Sequence, residues 1–219
     1  MGAMDIEQAR FNMVEQQIRT WEVLDQNVLD LLFAVHREKF VPIAWRDMAF
    51  TDMEIPLGHG EAMLQPKLEA RIVQELAIKK TDKILEIGSG SGYMTALMAA
   101  CGAFVYSIEI IPELHDMAKR NLAANNINNI QLEIGDCARG WKSHAPYDVI
   151  VLTGSTPILA AEFLQQLNAG GRLFAVVGDA PVMKGLLYTA TAGAHTKMEL
   201  FETSIKALVN APQPERFKF

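Results

Sequence analysis

The sequence predicts an α/β protein built on a doubly wound, mostly parallel sheet of seven strands, with a helical extension before the sheet and an antiparallel edge after it. Three observations carry this. Short, nearly continuous apolar runs alternate with amphipathic stretches of 10–14 residues from Lys83 onward, the pattern of parallel βαβ units buried on both faces. A glycine-dense turn, Gly88-Ser89-Gly90-Ser91-Gly92, follows the first of these runs and opens a helix. Only at the end do two apolar segments sit close together with a tight Ala192-Gly193-Ala194-His195 turn between them.

Taken in order, Ile6, Met13, Val14 and Ile18 recur at helical spacing, and Val23 to Val35 gives a second apolar-faced helix with Asp25 as N-cap. Pro42 and Pro56 break the pattern, so Met48 to Gly60 reads as a loop-rich connector ending in Gly58-His59-Gly60. A third helix is expected from Pro66 to Ala77. The strands expected in the core are Lys83–Ile87, Phe104–Ile108, Ile130–Ile134, Val149–Leu152 and Arg172–Val177, joined by helices that run through Ala100, from Pro112 to Ala124 and from Leu159 to Leu167. The right-handed crossover rule turns these units into a doubly wound sheet. Leu186–Thr191 and Lys197–Val209 are the two strands of the antiparallel edge. Residues 4–80 form the N-terminal helical extension and a loop on the substrate side, residues 81–211 the core, the whole effectively one compact domain. Met1-Gly2-Ala3 before Met4 reads as a cloning remnant.

Composition narrows the function. With a net charge of −6 and no Lys/Arg run, the chain lacks the basic face that a nucleic-acid or membrane-surface partner requires. No apolar run reaches the ~18 residues of a membrane span, and the N-terminus has no secretory pattern. Cys101 and Cys137 stand outside any metal-ligand spacing, so no metal site is expected, and two free thiols fit a cytoplasmic setting.

In open α/β sheets ligands bind beyond the carboxyl ends of the strands, and four features of this chain converge there. The glycine turn departs from the dinucleotide pattern G-x-G-x-x-G: its third glycine, Gly92, comes one residue early and Tyr93 takes the expected place. Acidic Glu86 precedes the turn and can face an amino group of the ligand. Glu109, followed by Ile110, ends the second strand, where a carboxylate accepts both hydroxyls of a ribose; a solvated strand-end acid is the alternative. Asp136, followed by Cys137, ends the third, where a carboxylate accepts from an adenine amino group; plain turn chemistry is the alternative. Thr153-Gly154 ends the fourth strand and would floor a reaction centre. Together these point to a Rossmann-like methyltransferase core that binds S-adenosyl-L-methionine through Glu86, Gly88, Ser89, Gly90, Tyr93, Glu109, Ile110, Asp136, Cys137 and Thr153, and releases S-adenosyl-L-homocysteine. An NAD-linked oxidoreductase is the competing reading of the same fold, disfavoured by Tyr93 and Asp136. A non-catalytic binding module is the other.

The flanking motifs are more distinctive. Met13-Val14-Glu15-Gln16-Gln17-Ile18, Arg37-Glu38-Lys39-Phe40-Val41-Pro42, Ile55-Pro56-Leu57-Gly58-His59-Gly60, Val105-Tyr106-Ser107-Ile108-Glu109 and Gly135-Asp136…Gly140-Trp141…Ala145-Pro146-Tyr147-Asp148 resemble the protein-L-isoaspartate O-methyltransferase family across nearly all of Arg10 to Val209. The resemblance implies methyl transfer from S-adenosylmethionine to a carboxylate of a peptide or protein, for the family the α-carboxylate of an isoaspartyl residue, as the first step of protein repair. It also places a departure. Where the family reads Gln-Thr-Ile-Ser-Gln-Pro, this chain reads Glu61-Ala62-Met63-Leu64-Gln65-Pro66, so Leu64 stands at the family's active-site Ser and Ala62 at its Thr. Lys206-Ala207-Leu208 stands where the family has Val-Pro-Leu. All three changes fall on the acceptor side and imply an altered acceptor preference. His59, between two glycines, is either an acceptor-positioning or basic group or an exposed loop residue. The sequence leaves the oligomeric state open.

Overall fold

Seven strands make the main sheet of the computed structural model, which describes residues 5–215; Met1 to Met4 lie outside the described residues. The strands are β3 (Lys83–Ile87), β4 (Phe104–Glu109), β5 (Ile130–Ile134), β6 (Tyr147–Thr156), β7 (Leu167–Asp179), β8 (Val182–Thr191) and β9 (Ala194–Thr203), in the spatial order β5-β4-β3-β6-β7-β8-β9. β5, β4, β3, β6 and β7 are parallel neighbours, and β8 and β9 add antiparallel to β7. The chain leaves β3 toward β4 and β5, then crosses back to lay β6 on the opposite side of β3. The carboxyl end of β3 is therefore the switch point, where helix connections diverge and a crevice opens.

Side-chain alternation assigns the two faces. Ile84, Val105, Val149, Val151 and Phe174 point into one apolar cluster, shared with helices α2 (Gln26–Ala34), α3 (Pro66–Leu76), α4 (Tyr93–Cys101) and α5 (Pro112–Ala124). Leu85, Ile87, Ile150, Leu152 and Leu173 point into the other, closed by Phe163 of the short helix α6 (Ala161–Gln165). Both faces being covered explains why the parallel strands are apolar throughout. The helical extension begins with α1 (Ile6–Met13), which continues as a wider π-turn from Val14 to Ile18 and buries Met13, Val14 and Ile18. Asp25 caps α2 by accepting from the Asn27 amide, a contact worth ~1 kcal/mol.

Four expectations are corrected. The connector from Met48 to Gly60 is not all loop: Ile55–Gly58 (β1) and Glu61–Met63 (β2) form an antiparallel hairpin. Ile55, Leu57 and Met63 are buried while Pro56 and Gly58 face water, and Gly58, His59 and Gly60 all take positive φ to make the turn. The last crossover helix is only Ala161–Gln165, because β7 already starts at Leu167, paired with Tyr147 ahead of the Gly170-Gly171 bend. The edge hairpin starts earlier, at Val182, and turns on Ala192-Gly193 alone, with Gly193 at φ +80°. Its second strand ends at Thr203, not Val209. Ile205 to Leu208 leave the sheet because Ser155 of β6 captures them: its amide donates to the Lys206 carbonyl, its hydroxyl to the Ile205 carbonyl, and its carbonyl accepts from the Leu208 amide, at 2.8–2.9 Å. This segment becomes a strap over the strand ends.

Candidate active site

At the switch point the backbone and β6 approach so closely that a side chain is excluded. Gly88 sits at φ +93°, and a Cβ there would lie 2.5 Å from the Thr153 hydroxyl oxygen. That hydroxyl lies 2.8 Å from the carbonyls of both Ile87 and Gly88 and shares its one proton between them, so the end of β6 is hooked to the turn after β3. Gly92 serves a different contact: a Cβ there would press on Leu122 and the Ala118 backbone of α5.

Glu109 ends β4, only 5% exposed. Its carboxylate accepts the Gly90 amide at 2.9 Å and the Ile110 and Ile111 amides at 3.0 and 3.1 Å. Three amides fix its orientation while a carboxylate offers about four acceptor positions. Asp136 follows β5 on the neighbouring strand end. One oxygen accepts the Ala138 amide at 3.1 Å, the other the Asn210 side-chain amide at 2.8 Å. Between them, burial first and then the two carboxylates push the Cys137 thiol up to about 12, so it stays protonated at neutral pH and is a wall, not a nucleophile.

These groups share one cleft of about 790 Å³, part of it open to solvent. Gly88, Gly90, Glu109, Ile110, Asp136, Cys137 and Thr153, each singled out in the sequence, line it together. Its opposite wall is the β1–β2 hairpin and the strap, which touch through Lys206: the ammonium donates to the Gly60 carbonyl at 2.8 Å and pairs with the Glu61 carboxylate. Leu64 lies where these walls meet, lining this cleft and a smaller cavity behind the glycine turn.

Four residues singled out in the sequence stand elsewhere. Glu86 is wholly buried beneath the turn, one carboxylate oxygen held by the Thr95 and Ser107 hydroxyls and the other without a partner; burial, more than any neighbour, pushes its pKa up to about 8. It does not line the cleft, because residues alternate along β3 and Glu86 faces the α4 side. Tyr93 is packed against Phe40, with the Arg37 guanidinium 5.2 Å over its ring, and also stands clear of the cleft. Ser89 is buried, shares a hydrogen bond with Ser107, and lines only the smaller cavity. His59 is exposed at the hairpin turn with φ +54° and is not part of the cleft wall. Two groups had no local signal in the sequence. Arg37 and Glu69, 32 residues apart, form a buried ion pair; burial pushes Glu69 up to about 7 while Arg37 opposes it, and Arg37 also donates to the Leu64 carbonyl at 2.7 Å. Asn210 reaches Asp136 across 74 residues.

A glycine turn locked to the fourth parallel strand, with two carboxylates in one cleft at adjacent strand ends, defines the Rossmann-like class of S-adenosylmethionine-dependent methyltransferases. Residues 8–201 match the protein family described as Protein-L-isoaspartate(D-aspartate) O-methyltransferase. A protein-L-isoaspartate O-methyltransferase of Methanoculleus marisnigri is 39% identical over 178 residues, 81% of each chain. Protein-L-isoaspartate O-methyltransferase 1 of Rhodopseudomonas palustris is 42% identical over 169 residues, covering 77% of this chain and 69% of its own. The chain belongs to the protein-L-isoaspartate O-methyltransferase family, which sets aside the NAD-linked alternative. Two solved structures share the fold. One, a protein-L-isoaspartate O-methyltransferase, superposes with a TM-score of 0.77 at 23% identity, over 93% of this chain and 66% of that one. The other, a Plasmodium falciparum protein described as a putative protein-L-isoaspartate O-methyltransferase in complex with S-adenosyl-L-homocysteine, gives 0.79 at 19% identity, over 90% of this chain and 97% of that one.

Proposed function

We propose that this chain transfers the methyl group of S-adenosylmethionine to the carboxylate of an isoaspartyl residue in a peptide or protein, acting in the cytoplasm, with Glu109 and Asp136 holding the nucleoside. The observation that carries the reading is their placement: two carboxylates at the ends of adjacent parallel strands, in one cleft with Gly88 and Gly90. The donor set fits the group. Glu109 keeps about one acceptor position for a sugar hydroxyl after binding three amides, and Asp136 keeps capacity for an exocyclic amine after binding two donors. Ile110, Cys137 and Ala138 offer apolar walls for a flat ring.

Bound there, S-adenosylmethionine would supply a sulfonium-activated methyl, whose carbon–sulfur bond would break as a carbon–oxygen bond to the acceptor formed, giving a thioether and a neutral ester. No proton is removed, since an acceptor carboxylate is ionised near neutral pH. The protein needs no general base, in keeping with His59 at the surface and Cys137 protonated. Its residues align and exclude water. The strap and hairpin close the cleft opposite the strand ends, and placement of this kind contributes on the order of 7–11 kcal/mol.

The test has two arms. Calorimetry should detect S-adenosylhomocysteine bound to the purified chain. Labelled methyl transfer should then be seen to an isoaspartyl peptide and not to its aspartyl isomer. Binding without transfer to either peptide would overturn the acceptor while leaving the nucleoside site intact.

A further inference from the structure

The acceptor wall of the cleft poses an electrostatic problem. Among the described residues lining the whole cleft are four carboxylates, Glu109 and Asp136 at the strand ends and Glu54 and Glu61 opposite, and a single cation, Lys206. The cofactor's sulfonium offsets part of this field on the strand-end side, and an anionic acceptor still needs a donor on its own side of the cleft to hold it. Neither residue at the expected anchoring positions can do this. Leu64 carries no donor, and Ala62 has only a methyl group.

We propose that the Lys206 ammonium is the residue that positions the acceptor carboxylate, and that Glu61 tunes its strength by competing for it. The proposal rests on the carboxylate-acceptor reading above. Lys206 is anchored through its backbone, since Ser155 and Leu208 fix the strap on either side of it, so its side chain springs from a rigid base. The ammonium has three donors. Two are used, on the Gly60 carbonyl and the Glu61 carboxylate, and the third is free for an incoming oxygen. The side chain is still 53% exposed, reachable from solvent while facing the cleft. An isoaspartyl carboxylate entering here takes the free donor and shares the ammonium with Glu61, whose carboxylate competes for it. Positively charged Lys206 thus takes the role for which Leu64 and Ala62 carry no hydroxyl, and it selects for an anionic acceptor. A second consequence is geometric: the same ammonium that recognises the acceptor ties the strap to the hairpin through the Gly60 carbonyl, so acceptor binding and cleft closure share one group.

The experiment compares wild type with Lys206→Met, Lys206→Arg and Glu61→Gln, using an isoaspartyl peptide as acceptor and S-adenosylhomocysteine as the binding probe. Lys206→Met should raise KM for the peptide about ten- to a hundredfold, with kcat changed far less and S-adenosylhomocysteine affinity within twofold of wild type. Lys206→Arg should recover most of the lost KM. Glu61→Gln should lower KM. The KM of wild type should climb with salt, and that of Lys206→Met should not. An unchanged KM in Lys206→Met, with wild type active, overturns the assignment of Lys206 alone. Equal loss of S-adenosylhomocysteine affinity in Lys206→Met overturns it too, by making the residue merely structural. A wild type that binds S-adenosylhomocysteine but neither methylates nor binds the peptide overturns the acceptor reading, and the Lys206 assignment with it.

Discussion

The two walls of the cleft are built by different means. The strand-end wall is made of backbone-locked groups: Glu109 is held by three amides, Gly88 is pinned under Thr153, and Cys137 is buried. The opposing wall is made of one hairpin and one strap, joined by a side-chain contact of a half-exposed lysine. The first wall tolerates little change because each group is fixed by parallel-sheet geometry. The second can change its chemistry without disturbing the sheet, and it is where Leu64, Ala62 and Lys206 stand. Side chains on the second wall can be exchanged with little effect on the sheet, while the strand-end groups are tied to the fold itself.

Glu109 is where the strand-end wall is most directly tested. Glu109→Ala should weaken S-adenosylhomocysteine binding by a factor on the order of 100 or more, since charge-assisted bonds of about 1.5–3 kcal/mol each are lost. An affinity within threefold of wild type, by calorimetry, would mean that the nucleoside is not held at this wall. Gly88→Ala should cost about 1–3 kcal/mol of stability, from a side chain forced to φ +93° against Thr153, and should weaken nucleoside binding as the hook to β6 opens; denaturant unfolding reads the first effect. On the other wall, Leu64→Ser with Ala62→Thr should raise kcat/KM for an isoaspartyl peptide roughly tenfold, the gain of about one hydrogen bond to a charged group, with no change in S-adenosylhomocysteine affinity. No gain would show that the hydroxyls are not what the acceptor wall lacks.

The change expected to touch the site least sharpens the boundary between cleft and core. The folded pKa of Glu86 is about 8 against an ordinary 4.5, with burial as the main cause. The native state therefore keeps a proton that the unfolded chain loses as pH rises past 4.5. Stability is fully present below that pH and declines by up to about 1.4 kcal/mol per unit until the native carboxyl also ionises near 8. Glu69, pushed to about 7, acts in the same direction over a narrower window. Glu86→Gln should flatten the fall of melting temperature between pH 5 and 8, while leaving nucleoside affinity within about twofold. A large loss of affinity in this variant would return Glu86 to the binding wall.

How much of this was legible in the sequence depends on the range over which each contact acts. α5 begins at Pro112 and β5 at Ile130, as apolar periodicity and proline placement require. Glu109 and Asp136 could be singled out because parallel strands put their carboxyl ends on one edge, so a strand-end acid has a known address. The hairpin at Ile55–Met63 was hidden by Pro56 and a glycine-rich turn, which read as loop. The end of β9 was hidden because Ile205 and Leu208 are as apolar as any strand residue, and Ser155 alone draws them out of the ladder.

By itself, then, the sequence determined the order of helices and strands, the switch point, and the acids that gather at it, because each follows from local periodicity or from turn chemistry within a few residues. Only the tertiary structure decided that Glu86 and Tyr93 lie under the cleft, that Arg37 and Glu69 pair behind it, and that Lys206 closes it by reaching Gly60 across 146 residues. Contacts between chain segments so far apart leave no periodic trace. They arise when a sheet, folded for its own reasons, brings two unrelated stretches within hydrogen-bond distance.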